Sequence, residues 1–158
     1  MEINVLIEEG IEVEPPPEWM QKIIEATLLA ENAPGNSEIS LVITGQERIQ
    51  ELNREYRGQD QPTDVLSFSL ADQNESQEDS GFLDPPDGLL HLGEVIISYP
   101  QVLMQAEESR HSTKKEMASL IIHGVLHILG YDHAEPHQEP AMKAREDQIL
   151  SELRKELL

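Results

Sequence analysis

The sequence predicts an α+β fold in one domain, a small mixed four-stranded sheet packed with about five helices. Three observations predict it. The first half of the chain makes two strand-helix steps, two more strands then follow with no helix between them, and the remainder is helical. That order points away from a doubly wound sheet. At 158 residues the chain is near the common size of one domain and can enclose one core, and no repeat or linker divides it.

The elements follow from period and punctuation. Ile3, Val5 and Ile7 alternate with Asn4 and Glu8, which is the spacing of a strand. Pro15 to Pro17 interrupt the chain, and Trp19, Met20, Ile23, Ile24, Thr27 and Leu28 then recur at helical spacing to about Ala30. A turn with Pro34 and Gly35 leads to a second strand with Ile39, Leu41 and Ile43. Thr44 with Glu47 reads as a capping box opening a helix through Ile49, Leu52 and Tyr56. The polar stretch Arg57 to Thr63 precedes a third strand in which Leu66, Phe68 and Leu70 alternate with Val65, Ser67 and Ser69. Residues 71–91 hold many acids, two adjacent prolines and no base, and are expected to form a mobile acidic surface loop. The run Leu92 to Ser98 is a fourth strand, apolar enough for burial on both faces. A helix from about Tyr99 to Arg110 follows, then one from about Lys114 to Leu129 opened by a Thr113/Glu116 capping box. After a loop marked by Pro136 and Pro140, Met142, Ile149, Leu150, Leu153 and Leu157 form the stripe of a last amphipathic helix.

Chemistry concentrates in His123 to His133, eleven residues holding three of the six histidines. His123 and His127 stand at i and i+4 on an otherwise apolar helix, so both imidazoles leave one face about one turn apart. Burial keeps such rings neutral, the form that binds metal. Gly130 can take the left-handed conformation that ends the helix, so His133 approaches from a loop. Three imidazoles leave a fourth position open, as in a catalytic rather than a structural zinc site. Zinc is the metal expected, one per chain, although nickel, copper and iron also accept imidazole. Such a metal lowers the pKa of bound water and polarises a substrate oxygen, which suits hydrolysis. Asp132 is placed to orient a histidine, though turn formation explains it equally well.

Composition sets limits. Cysteine is absent, so no disulfide framework or thiolate ligand exists. Met1 to Val5 lack the basic region and apolar run of a signal peptide, and no stretch approaches the ~20 apolar residues of a membrane span. A cytoplasmic protein with no membrane partner is the expectation. The net charge of −20 opposes phosphate binding in general. Yet Arg48, Arg54 and Arg57 lie before a stretch devoid of bases, and Arg110, Lys114 and Lys115 after it, so local positive patches survive.

The pattern His-x-x-x-His-x-x-Gly-x-x-His is similar to the zinc motif of the metzincin proteases, except that their glutamate after the first histidine is Gly124 here. Without that general base the peptidase reading loses its central group. With the glycine, the segment resembles the YbeY family of bacterial endoribonucleases, described also as ribosomal RNA maturation factors. So do Leu52 to Arg57 leading into Pro62 to Phe68, the Leu92 to Ser98 strand, and Met142 with Glu146. The resemblance runs from about Glu38 to Leu150. It departs in an acidic insertion longer than the family needs and in Glu94, where an aspartate is expected.

The resemblance implies an α+β fold around zinc held by His123, His127 and His133. It implies catalysis assisted by Arg57 and a substrate of single-stranded RNA, notably ribosomal RNA precursors. The similarity to the proteases' methionine turn suggests Met142 beneath the metal. Arg57 suits the task, because a guanidinium grips the oxygens of a phosphodiester in two-pronged fashion. Arg54, Lys114 and Lys115 are further candidates for RNA contact, Arg54 being equally able to pair with an acidic neighbour. So acidic a chain is expected to need a ribosomal or other protein partner to supply specificity; DNA is not expected as a partner. The alternatives are a zinc metallopeptidase and a ribosome assembly factor with a structural metal.

Overall fold

A computed structural model describes the backbone of residues 1–70, 88–131 and 138–154, with the side chains of all but 138, 139 and 154. Four strands are present among them: β1 (Glu2–Ile7), β2 (Ser37–Thr44), β3 (Val65–Ser69) and β4 (Leu90–Ser98). Five helices accompany them: α1 (Pro17–Ala30), α2 (Gln46–Arg57), α3 (Tyr99–Glu108), α4 (Thr113–Ile128) and α5 (Gln138–Arg154). The strands form one sheet in the order β1-β2-β4-β3. The first three run parallel and β3 joins the edge antiparallel to β4. This is the mixed α+β sheet that the element order predicts, and the two consecutive strands β3 and β4 are what make it mixed.

Period-two alternation assigns the faces. Ile39, Leu41 and Ile43 of β2 and Val95 and Ile97 of β4 are buried in the main core with α1, α4 and α5. All six residues of the expected α1 stripe, Trp19, Met20, Ile23, Ile24, Thr27 and Leu28, are buried there. On the opposite face Ile49 and Leu52 of α2 close over Leu66 and Ile96, with Val42 and Phe68 beside them, in a smaller cluster. The sheet is therefore thickly covered on one side and thinly on the other.

Several boundaries differ from those the sequence predicts. The cap of α4 is Ser112, whose Oγ accepts from Lys115 N at 3.1 Å, so the capping interaction lies one residue before the Thr113/Glu116 pair. Thr44 does not cap α2 either. Gly45 holds the cap position, its N–H donating to Glu8 Oε2 at 3.1 Å, and the Thr44 hydroxyl is buried without a hydrogen-bond partner. β4 begins at Leu90, so Leu90 and His91 belong to the sheet and not to the loop expected over 71–91; residues 71–87 of that loop lie outside the described residues. A bulge between Glu38 and Ile39 lets β4 extend this far. Gly93 sits at this irregularity with φ +149°, and a Cβ there would stand 2.2 Å from the Phe68 carbonyl oxygen. Pro140 does not mark a loop but lies in the first turn of α5, where its missing N–H costs no helical bond.

Candidate active site

The site is built on α4, whose apolar residues bury it against the sheet. Met117, Ala118, Leu120 to Ile122, Val125, Leu126 and Ile128 are buried. His123 and His127 themselves are only half-buried, so the helix is not enclosed all round as its composition predicts. The two imidazoles share one face with ring centroids 6.1 Å apart. The helix then ends in a Schellman motif: Gly130 N donates to His127 O at 3.2 Å and Tyr131 N to Leu126 O at 3.1 Å, with Gly130 at φ +113°. The chain thus reverses at the glycine, as predicted. His133 and Asp132 lie outside the described residues, and among those described no group of three His, Cys, Asp or Glu side chains is gathered as a metal set.

What is described fits a metal nonetheless. His123 Nδ1 forms a very short hydrogen bond with Glu146 Oε1 of α5. A carboxylate on Nδ1 fixes the ring and its tautomer, the usual arrangement behind metal-bound histidine. Glu146 is the site residue that residue-by-residue reasoning missed. Its signal was present, because Met142 and Glu146 are spaced i,i+4 and so share a helix face. Met142 itself is 1% exposed and part of the main core.

Gly124 has a role of its own. A Cβ there would lie 2.6 Å from Cγ1 and 3.3 Å from Cγ2 of Val95 and 3.4 Å from Ser67 Oγ, so the helix rests on the sheet at this point. A glutamate does not fit. Ser67 Oγ donates to Gly124 O at 3.1 Å and Ser69 Oγ to Ile128 O at 3.3 Å, so the edge strand β3 is stitched to the histidine helix beside both rings.

Arg57 is the last residue of α2, across the sheet from α4, and is exposed. Gly58 at φ +70° ends the helix there. The buried Asn53 amide donates to Gln61 O at 2.9 Å and holds the following loop against the helix end. Among the described residues Arg57 has no hydrogen bond or ion pair, whereas Arg54 lies 3.7 Å from Asp60. Because β3 is the sheet edge, the two faces meet around it. The Tyr56 ring packs edge-on against Phe68, centroids 5.3 Å apart, and Ser67 beside Phe68 bonds α4. Arg57 and the histidines are thus separated by one strand. Lys114 and Lys115 are not brought in: they occupy the far end of α4, about 12 Å along its axis from His123.

A second polar cluster holds α5 in place. Arg145 Nε pairs closely with Glu31 Oε1, its NH2 donates to Ala30 O at 2.6 Å, and Tyr131 OH donates to Glu31 Oε2 at 3.1 Å. Burial, reinforced by the Glu31 carboxylate, raises the Tyr131 phenol above its ordinary range. The cluster ties α5, and with it Glu146, to the end of α1 and the turn after α4.

Comparison with known proteins identifies the family. A family model described as Endoribonuclease YbeY matches residues 4–154. An Endoribonuclease YbeY of Dehalococcoides mccartyi is 47% identical over 156 residues, covering 98% of this chain and 91% of its own. That of Roseiflexus sp. (strain RS-1) is 45% identical over 135 residues, covering 85% and 81%. A Thermotoga maritima protein solved in solution superimposes with a TM-score of 0.57 at 25% identity, over 97% of this chain and 92% of that one. With nearly the whole chain matched at close to half identity, this protein belongs to the endoribonuclease YbeY family.

Proposed function

We propose that the protein is a zinc-dependent, single-strand-specific endoribonuclease that hydrolyses RNA phosphodiesters in ribosomal RNA maturation in the cytoplasm. The observation that carries the reading is the helix pair: His123 and His127 on one face of α4, with the Glu146 carboxylate on His123 Nδ1. His123, His127 and His133 would hold the metal. Zinc so held supplies Lewis acidity toward water and toward a phosphoryl oxygen.

The chain's own residues do the rest. Glu146 orients His123 and holds the proton on its Nδ1. Arg57, at the tip of α2 and exposed, grips a non-bridging phosphate oxygen and offsets the charge that gathers there. Gly124 seats α4 on Val95 and so leaves no place for the carboxylate base that peptide hydrolysis needs. Among the described residues no helix is long and apolar enough to cross a membrane. With a net charge of −20, the protein relies on a ribosomal or other protein partner to concentrate it on RNA.

The test compares wild type with His127→Ala and Arg57→Ala, measuring bound metal and cleavage of a single-stranded RNA beside the same RNA carrying one deoxyribose at the scissile position. His127→Ala should lose both metal and cleavage. Arg57→Ala should keep its metal and lose on the order of a hundredfold or more in rate, the scale of removing one group that stabilises transition-state charge. Undiminished cleavage by Arg57→Ala removes its catalytic role, and unchanged metal in His127→Ala removes the site. Cleavage that survives the deoxyribose identifies water, not the ribose hydroxyl, as the nucleophile.

A further inference from the structure

On the thinly covered face of the sheet, α2 does not close fully over β2, β4 and β3. A groove of about 590 Å³ remains, bordered by Thr44, Arg48, Tyr56, Phe68 and Glu94 and reaching Ser67 and Ser69 at the edge strand. Its volume lies within the range of small-ligand sites. Three features are unexplained by packing. Tyr56 is 64% exposed, with its ring against Phe68, so an aromatic surface faces solvent. Thr44, 1% exposed, lines the groove with a hydroxyl that has no hydrogen-bond partner. Ser98, its register neighbour on β4, is 0% exposed and is in the same condition. Buried polar atoms are ordinarily satisfied, and of these two hydroxyls Thr44 lines the groove, at the end away from Phe68.

We infer that this groove seats one unpaired nucleobase of the RNA substrate, stacked on Tyr56 and Phe68 with its polar edge toward Glu94, the register partner of Phe68. The inference rests on the endoribonuclease reading and deepens it. Charge argues for a base rather than a phosphate: the one cation on the wall, Arg48, is already 3.0 Å from Glu51, and Glu94 stands on the other wall. A neutral heterocycle meets no repulsion there. Aromatic stacking is how proteins hold splayed-out single-stranded bases. Glu94 accepts but cannot donate, so it favours a base with an exocyclic amino group, cytosine above uracil. The route from the histidines is short. Phe68 faces the groove, while Ser67 and Ser69 on either side of it bond the carbonyls of Gly124 and Ile128 on the histidine helix. A strand passing over the β3 edge would place one base in the groove and a nearby phosphate at the metal.

The experiment uses short RNA oligonucleotides in which each position in turn is abasic, with wild type, Tyr56→Ala, Tyr56→Phe and Glu94→Gln. Tyr56 is exposed, so its replacement leaves the fold and the metal content unchanged. For Tyr56→Ala, KM for intact RNA should rise roughly tenfold or more with kcat little altered. Tyr56→Phe should restore it. One abasic position should weaken wild type by a similar factor and add nothing in Tyr56→Ala. Glu94→Gln, able to donate as well as accept, should erase the preference for cytosine over uracil at that position. The same comparison made by equilibrium binding to uncleaved oligonucleotide decides the matter even if no preparation cleaves RNA, an outcome that would sink the nuclease reading and leave this one standing or falling on binding. KM and binding for Tyr56→Ala within twofold of wild type overturn the inference. So does loss of a protein partner's binding with naked oligonucleotides handled normally, which would make the groove a protein site.

Discussion

Gly124 shows how one atom decides between chemistries. The sequence offers a glycine where a similar protease motif has a base, and the structure supplies the cause, since a Cβ there would press on Val95. In an open helix, Gly→Ala gains about 1 kcal/mol. Here overpacking costs about 1–3 kcal/mol against it, so Gly124→Ala should lower stability by up to about 2 kcal/mol in urea unfolding. The penalty should shrink in a Val95→Ala background, because the clashing methyls are then gone. A stabilised Gly124→Ala would show that α4 has room to move and that the contact is not decisive. The same lesson applies to Thr44: a Thr followed three residues later by Glu reads as a cap, but the Gly45 N–H is satisfied by Glu8 and the hydroxyl is left to the groove.

Among the elements, α5 has the weakest sequence signal and the largest effect on the site, since it brings Glu146 to His123. Its placement depends on Arg145 and Tyr131 meeting Glu31, 114 and 100 residues away in sequence. A pH dependence follows. The folded Tyr131 phenol titrates above its unfolded value near 10, first because burial disfavours phenolate and then because of Glu31. Its stabilising contribution is complete below the unfolded value and is lost as pH rises from there through the raised folded value. Urea unfolding between pH 8 and 11 should therefore show a fall in stability that is smaller in Tyr131→Phe. An identical fall in both proteins would mean that the phenol is not coupled to folding.

At the scale of the whole molecule, a net charge of −20 must coexist with a polyanionic substrate. Few phosphates can be neutralised, so log K for single-stranded RNA should depend only shallowly on log salt. Each contact contributes a slope of about −0.7. Arg57→Ala should flatten the slope by about that amount, measured by fluorescence anisotropy across a salt series. An unchanged slope would place Arg57 away from the bound RNA. An acidic surface repels RNA at long range, which is the reason a protein partner is proposed.

The sequence by itself determined the class of fold and the histidine helix. Hydrophobic period, Gly130 and i,i+4 spacing are local properties, expressed wherever the segment lies. They predicted the four strands and five helices of the described residues, with errors at caps and ends, where a competing acceptor such as Ser112 or Glu8 sits one residue or many away. Only the tertiary structure decided that β3 forms the edge of the sheet, so that Arg57 on one face and the histidines on the other come within one strand of each other. It alone joined Glu146 to His123, separated the lysines of α4 from the site, and left an exposed tyrosine packed on Phe68 at the border of a groove. The reason is physical: which residues share a site depends on contacts between distant segments, and those are fixed by packing of the whole chain rather than by any period within it.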